Sequence, residues 1–187
     1  GTPFENGFYL IDFTFPPQFP GLPPKARYHT TDGRVRMHPN LYACGKICLS
    51  LLGTWSGPQW TACQNITSIS LSIQTILDEH PIRNEPGFEK EAGQKDKTYN
   101  RLIEHANIRV GVIQMIKDTP KGFEVFREKI CKYFIDNYDW YESKCLNNIN
   151  LENKKSESVK APIYNWVEKI NYKLLLKNIR SLKKSIK

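Results

Sequence analysis

His38-Pro39-Asn40-Leu41-Tyr42-Ala43-Cys44-Gly45-Lys46-Ile47-Cys48-Leu49 carries a carboxamide and a thiol eight residues apart, joined by a segment short enough to fold them together. A thiolate can hold an acyl group as a thioester. An amide N–H₂ beside it can hydrogen-bond the oxyanion that forms when that thioester is attacked. Cys48 is therefore the expected nucleophile and Asn40 the expected oxyanion stabiliser. Exchange between thioesters needs no strongly acidic thiol, because nucleophilicity falls with basicity, so no histidine base is required. His38 reads as structural, an imidazole bonding local backbone, and Pro39 as the bend beside it.

Working outward, the residues before the bend predict strands. Gly7 to Phe15 is aromatic and β-branched and ends at Pro16-Pro17; Lys25 to Thr31 follows a proline-rich turn; Val35 to Met37 is short and extended. The first forty residues thus suggest an antiparallel meander. After Cys48 the period changes. Ile66, Ile69, Ile73, Ile76 and Leu77 predict a helix capped by Asn65 or Thr67 and stopped by Pro81. Asn84-Glu85-Pro86-Gly87 opens a polar loop to about Lys97. Tyr99 to Ile116 predicts a longer helix and Phe123 to Phe134 a third. Strands followed by helices predict an α+β fold.

Gly1-Thr2-Pro3-Phe4-Glu5-Asn6-Gly7-Phe8, Phe15-Pro16-Pro17, Pro23-Pro24-Lys25, His38-Pro39-Asn40, Gly45-Lys46-Ile47-Cys48-Leu49 and Trp55-Ser56-Gly57-Pro58 stand in the order found in ubiquitin-conjugating enzymes. The chain resembles that family over about residues 1–145. The run Cys48 to Trp55, together with Asn84 to Glu89 and Tyr99-Asn100, is most similar to its large, extended members. The resemblance implies a core of four-stranded antiparallel sheet with helices beside it. It implies that Cys48 accepts ubiquitin or a ubiquitin-like modifier from an activating enzyme and passes it to a substrate lysine, usually with a ubiquitin ligase. ATP would be used by the activating enzyme, with no cofactor bound here. Cores of this family ordinarily open with a helix and an edge strand ahead of the Gly-Thr-Pro segment. The expectation is therefore an N-terminally truncated core over 1–118, either a piece of a longer chain or a binding module that cannot be charged. A helical continuation over 119–145, a polar linker over 146–160 and a basic amphipathic helix over 161–187 complete the expected layout.

Three further residues have expected roles at this site. An acid at its mouth could assist deprotonation of the attacking amine. The resemblance suggests one shortly before Tyr99-Asn100, and Asp96 is the nearest, though a solvated loop carboxylate is the plainer reading. Trp55 and Trp60 flank the loop after Cys48 as packing residues or as aromatic contacts for a ligase.

Other chemistries fit worse. His38, Cys44, Cys48 and Cys63 lack the paired spacing of a zinc site, so no metal is expected. A papain-like arrangement would draw Cys, His and Asn from distant segments, whereas His38 and Asn40 are two residues apart. Five cysteines at irregular spacing do not form a disulfide framework and favour the cytosol and nucleus. Mean hydropathy of -0.52 and short apolar runs argue against a membrane partner. The formal charge of +8 is concentrated in residues 151–187, which hold ten Lys/Arg against three Asp/Glu. A solvated helix face explains that charge better than nucleic acid does.

Overall fold

The computed structural model describes residues 1–152 and 156–186. Strands β1 (Ile11–Thr14) and β2 (Lys25–Tyr28) pair antiparallel, with Ile11 opposite Tyr28 and Thr14 opposite Lys25. The expected third strand does not form a ladder. Between β2 and the first long helix the described residues make only isolated bridges, Arg27 to Lys46, His38 to Leu41 and Leu41 to Ile47. Pro39 has no N–H to give a ladder, and Asp32 bends the approach by accepting from the Arg34 and Val35 amides at 3.0 and 2.9 Å. The four-stranded sheet implied by resemblance is thus represented by one short ribbon continued through bridges.

Helix α1 (Ile66–Ile76) begins where expected, and Asn65 rather than Thr67 is its cap. Asn65 accepts from the Ser68 amide at 3.1 Å while the Ser68 hydroxyl accepts from the Asn65 amide at 3.4 Å, a reciprocal capping box. The helix stops before Pro81 because Asp78 turns back to accept the His80 amide at 2.8 Å.

Helix α2 (Gln94–Ala106) starts inside the expected loop and continues through π-helical turns (Asn107–Gln114) into a final turn, α3 (Met115–Lys117). The N-terminal segment crosses this rod at a glycine contact. The Phe8 amide donates to the Gly111 carbonyl at 2.8 Å, and a Cβ on Gly7 would stand 2.0 Å from Asn107 Oδ1. Asn107 ties the same segment down, donating to the Glu5 carbonyl at 2.9 Å and accepting from Tyr9 at 2.6 Å.

The C-terminal third departs most from expectation. Helix α4 (Arg127–Asp136) corresponds to the third predicted helix. Helix α5 (Tyr138–Glu152) then runs into the residues expected to form a linker. Asn148 bonds back to the Lys144 carbonyl at 2.9 Å, and Lys144 pairs with Glu104 of α2 at 2.8 Å, so tertiary anchoring overrides the poor propensity of the asparagines. Residues 153–155 of that expected linker lie outside the described residues. Strands β3 (Glu157–Lys160) and β4 (Val167–Ile170) pair as a hairpin, so the expected helix over 161–187 is corrected to a loop, a strand and helix α6 (Tyr172–Ser185).

Helix α6 is docked. Leu175, Leu176, Ile179 and Leu182 pack into one core with Ile116, Phe134, Tyr141 and Cys145. Each such side chain contributes about 1.5–3 kcal/mol before entropy is counted. Lys173, Lys177 and Lys184 lie on the outer face. A second core, Tyr28, Leu41, Ile47, Leu49, Ile69 and Ile73, underlies the cysteine turn. Among the described residues no helix is long and apolar enough to cross a membrane.

Candidate active site

The turn between Asn40 and Cys48 is closed by backbone. The Gly45 amide donates to the Tyr42 carbonyl at 2.9 Å, and the Tyr42 amide to the Lys46 carbonyl at 3.0 Å. Gly45 has φ of +92°, and a Cβ there would meet the Tyr28 carbonyl oxygen at 2.8 Å, so glycine is required twice over. Asn40 and Cys48 then hold each other. The Cys48 amide donates to the Asn40 carbonyl at 2.9 Å, and Asn40 Nδ2 donates to the Cys48 carbonyl at 2.7 Å. Asn40 is buried, and its Oδ1 finds no partner among the described residues.

This geometry brings the predicted pair together but refines how. The carboxamide grips the main chain of Cys48. An amide nitrogen carries two hydrogens, so the bond to the Cys48 carbonyl leaves one for an oxyanion. The thiol itself is covered: Cys48 is 1 % exposed. Burial, with the neighbouring Cys48 adding to it, raises the Tyr42 pKa.

His38 bonds within its own turn. Nδ1 accepts the Asn40 amide at 3.0 Å, and the ring lies 5.8 Å from the Phe4 ring. Burial pushes its pKa down to about 3. Pro39 gives its carbonyl to the Arg36 guanidinium. The loop after Cys48 is organised by Thr54, which the sequence did not single out. Its hydroxyl donates to the Ile47 carbonyl at 2.8 Å and accepts the Leu49 amide at 2.9 Å.

Asp96 requires a correction. It lies in the first turn of α2, 4 % exposed, with Oδ2 2.8 Å from His80 Nδ1. It is neither a solvated loop carboxylate nor an acid at an open mouth, because burial and the His80 contact keep it out of solvent. Trp55 is exposed, whereas Trp60 is tied to the proline-rich loop by donating to the Pro20 carbonyl at 2.7 Å. Phe15, Leu22 and Trp55 leave large apolar surfaces exposed on the loops after β1 and after Cys48. Among the described residues no three His, Cys, Asp or Glu side chains are grouped to hold a metal ion.

Arg36, Tyr42, Glu85 and Tyr164 form a cluster at the turn before Cys48 that sequence reasoning missed. The Arg36 guanidinium lies 3.7 Å from the Tyr42 ring centroid and 4.2 Å from that of Tyr164. Tyr42 was discoverable as a neighbour in the turn. No local pattern connects Tyr164 to it.

A model of the ubiquitin-conjugating enzyme family matches residues 1–107, and the chain belongs to that family. It is 37% identical over 188 residues to "Ubiquitin-conjugating enzyme E2 Z" of Xenopus tropicalis, covering 100% of this chain and 59% of that protein. It is 44% identical over 153 residues to the protein of the same name from Homo sapiens, covering 81% of this chain and 43% of the relative. "Probable ubiquitin-conjugating enzyme E2 26" of Arabidopsis thaliana is 36% identical over 149 residues, covering 74% and 26% respectively. The chain therefore spans 43% to 59% of the length of the two E2 Z relatives. A solved ubiquitin-conjugating enzyme domain from Toxoplasma gondii aligns with a TM-score of 0.44 and 25% identity over 59% of this chain and 73% of its own.

Proposed function

We propose that this chain carries ubiquitin or a ubiquitin-like modifier as a thioester on Cys48. The modifier is received from an activating enzyme that spends the ATP and is handed to a substrate lysine with a ligase. The observation that carries the reading is the reciprocal hold between Asn40 and Cys48, at 2.9 and 2.7 Å. In the first step the Cys48 thiolate attacks the carbonyl carbon of the incoming thioester, and the activating enzyme's thiolate leaves. In the second, a lysine amine attacks the same carbon, the bond to Cys48 sulfur breaks, and the nitrogen gives up a proton. The remaining N–H of Asn40 stabilises the oxyanion between those events. Phe15, Leu22 and Trp55 supply the exposed apolar surface on which a ligase would seat. The odd, irregular cysteines support work in the cytosol and nucleus.

Mixing the chain with activating enzyme, ATP and modifier is expected to yield a reductant-sensitive adduct. The covered thiol favours a second reading, a binding module of the same fold that is never charged. Absence of any adduct would establish that reading and overturn the first. Asn40→Ala is expected to slow discharge of preformed thioester to free lysine by on the order of 10²–10³. It also lowers stability by about 1–3 kcal/mol, because the Cys48 carbonyl loses its partner. Single-turnover gels and thermal melts separate the two effects, and unchanged discharge would make Asn40 purely structural.

A further inference from the structure

Helix α6 places one side, Leu175, Leu176, Ile179 and Leu182, in the core. Its other side carries Lys173, Lys177, Arg180 and Lys184, all exposed. Like charges at three- and four-residue steps repel along a helix, and Lys173 stands in the first turn, where the helix dipole disfavours a cation. The neighbouring helix gives little relief. Glu142 of α5 pairs with Arg180 at 2.7 Å, but residues 143–151 of α5 hold no carboxylate. Among the described residues Lys173, Lys177 and Lys184 have no acidic partner. These four cations border a groove of about 420 Å³ between α5 and α6, and Ile149 and Leu176 supply its apolar lining.

We propose that this groove docks an acidic peptide segment of a partner protein, with carboxylates on the cationic rim and an apolar side chain between them on Ile149 and Leu176. The complementary charge steers the encounter and fixes register, while the seated apolar side chain supplies affinity by leaving water. An anionic bilayer fits less well. A helix lies on a membrane by burying its apolar side in lipid, and that side of α6 is already in the core. Nucleic acid also fits less well. No residue lining the groove is aromatic, so no base stacks there, and a phosphate chain has nothing apolar to set against Ile149 and Leu176. The surface is separate from the thiol chemistry and stands or falls without it.

The test is fluorescence anisotropy of a short fluorescein-labelled peptide, pairs of glutamate alternating with single leucines, titrated with the full chain. Saturable binding is expected. The double variant Lys173→Glu, Lys177→Glu is expected to weaken it about tenfold, since two exposed ion pairs become repulsions. Both positions face solvent, and a carboxylate in the first turn suits the helix dipole, so an unshifted melting curve is expected to accompany the loss. Lys25→Glu, Lys121→Glu changes the net charge equally outside the groove and is expected to leave affinity within about twofold, because salt screens distant exposed charges. The same peptide with serine in place of leucine is expected to bind the unaltered chain about tenfold more weakly. Absence of binding, an equal loss in both double variants, or equal affinity for the serine peptide overturns the docking groove. So does tighter binding to phosphatidylserine vesicles or to duplex DNA that Lys173→Glu, Lys177→Glu abolishes, which would assign the face to a membrane or to nucleic acid.

Discussion

Cys48→Ala is expected to abolish the modifier adduct, and Cys48→Ser to replace it with one that resists reductant. The alanine removes the atom that bonds the acyl carbon. The serine supplies an oxygen, which attacks more slowly but leaves an oxyester that thiols do not readily exchange. The rival is Cys44, exposed on the same turn. Exposure favours it, but position does not: the Asn40 carboxamide is bonded to the main chain of Cys48 at 2.7 Å. Cys145 is no rival, since burial pushes its thiol up to about 12. An adduct that survives in Cys48→Ala and disappears in Cys44→Ala would transfer the chemistry to Cys44.

Glu168→Ala is expected to destabilise the protein by about 3–5 kcal/mol, because it strands the buried His105 and takes from the half-buried Arg109 one of its two carboxylate partners. Glu168 is 2 % exposed. It lies 2.8 Å from His105 Nδ1 and accepts from Arg109 Nε at 2.7 Å, with Arg109 also donating to its other oxygen at 2.9 Å. His105 Nε2 accepts the Asn171 amide at 3.0 Å, which leaves the ring hydrogen on Nδ1, facing Glu168. Arg109 also pairs with Asp32 at 2.9 Å. One network therefore joins the loop before His38, helix α2 with its π-helical turns, and strand β4. At this chain length the loss corresponds to a fall in melting temperature of about 10 °C.

The network also sets an acid limit. Burial alone would raise the Glu168 pKa, but the His105 and Arg109 bonds outweigh it and hold the carboxyl below its usual 4.5. A carboxyl depressed in the folded state stabilises above its unfolded pKa, and that contribution is lost as pH falls through the folded value. The intact protein is expected to lose stability steeply below about pH 4.5, and Glu168→Ala to show a shallower loss there. Equal melting temperatures for the two at pH 7 would show that the network contributes nothing.

The C-terminal extension shows where sequence reading stops. Leu175, Leu176, Ile179 and Leu182 announce a helix face at three- and four-residue steps, and α6 uses them so. Ile163, Trp166, Val167 and Ile170 continue that spacing backwards, yet β4 follows period two, with Glu168 and Ile170 inward. A charged residue at an inward position hides the strand, because its burial is tolerated only through His105 and Arg109, about sixty residues away in sequence. Asp96 fails similarly: a polar neighbourhood suggested a loop, while contact with His80 drew it into a buried helical turn.

Local order carried much by itself. The bend at Pro39, the turn at Gly45 and the eight-residue spacing to Cys48 are short-range constraints, so the Asn40–Cys48 pairing could be read from the chain, as could the capped start of α1 at Asn65. Tertiary structure alone decided that the thiol is covered, that a basic tail is a docked helix, and that Tyr164 reaches Arg36. Those outcomes depend on side chains far apart in sequence meeting in three dimensions. Periodicity and turn chemistry report only on neighbours along the chain.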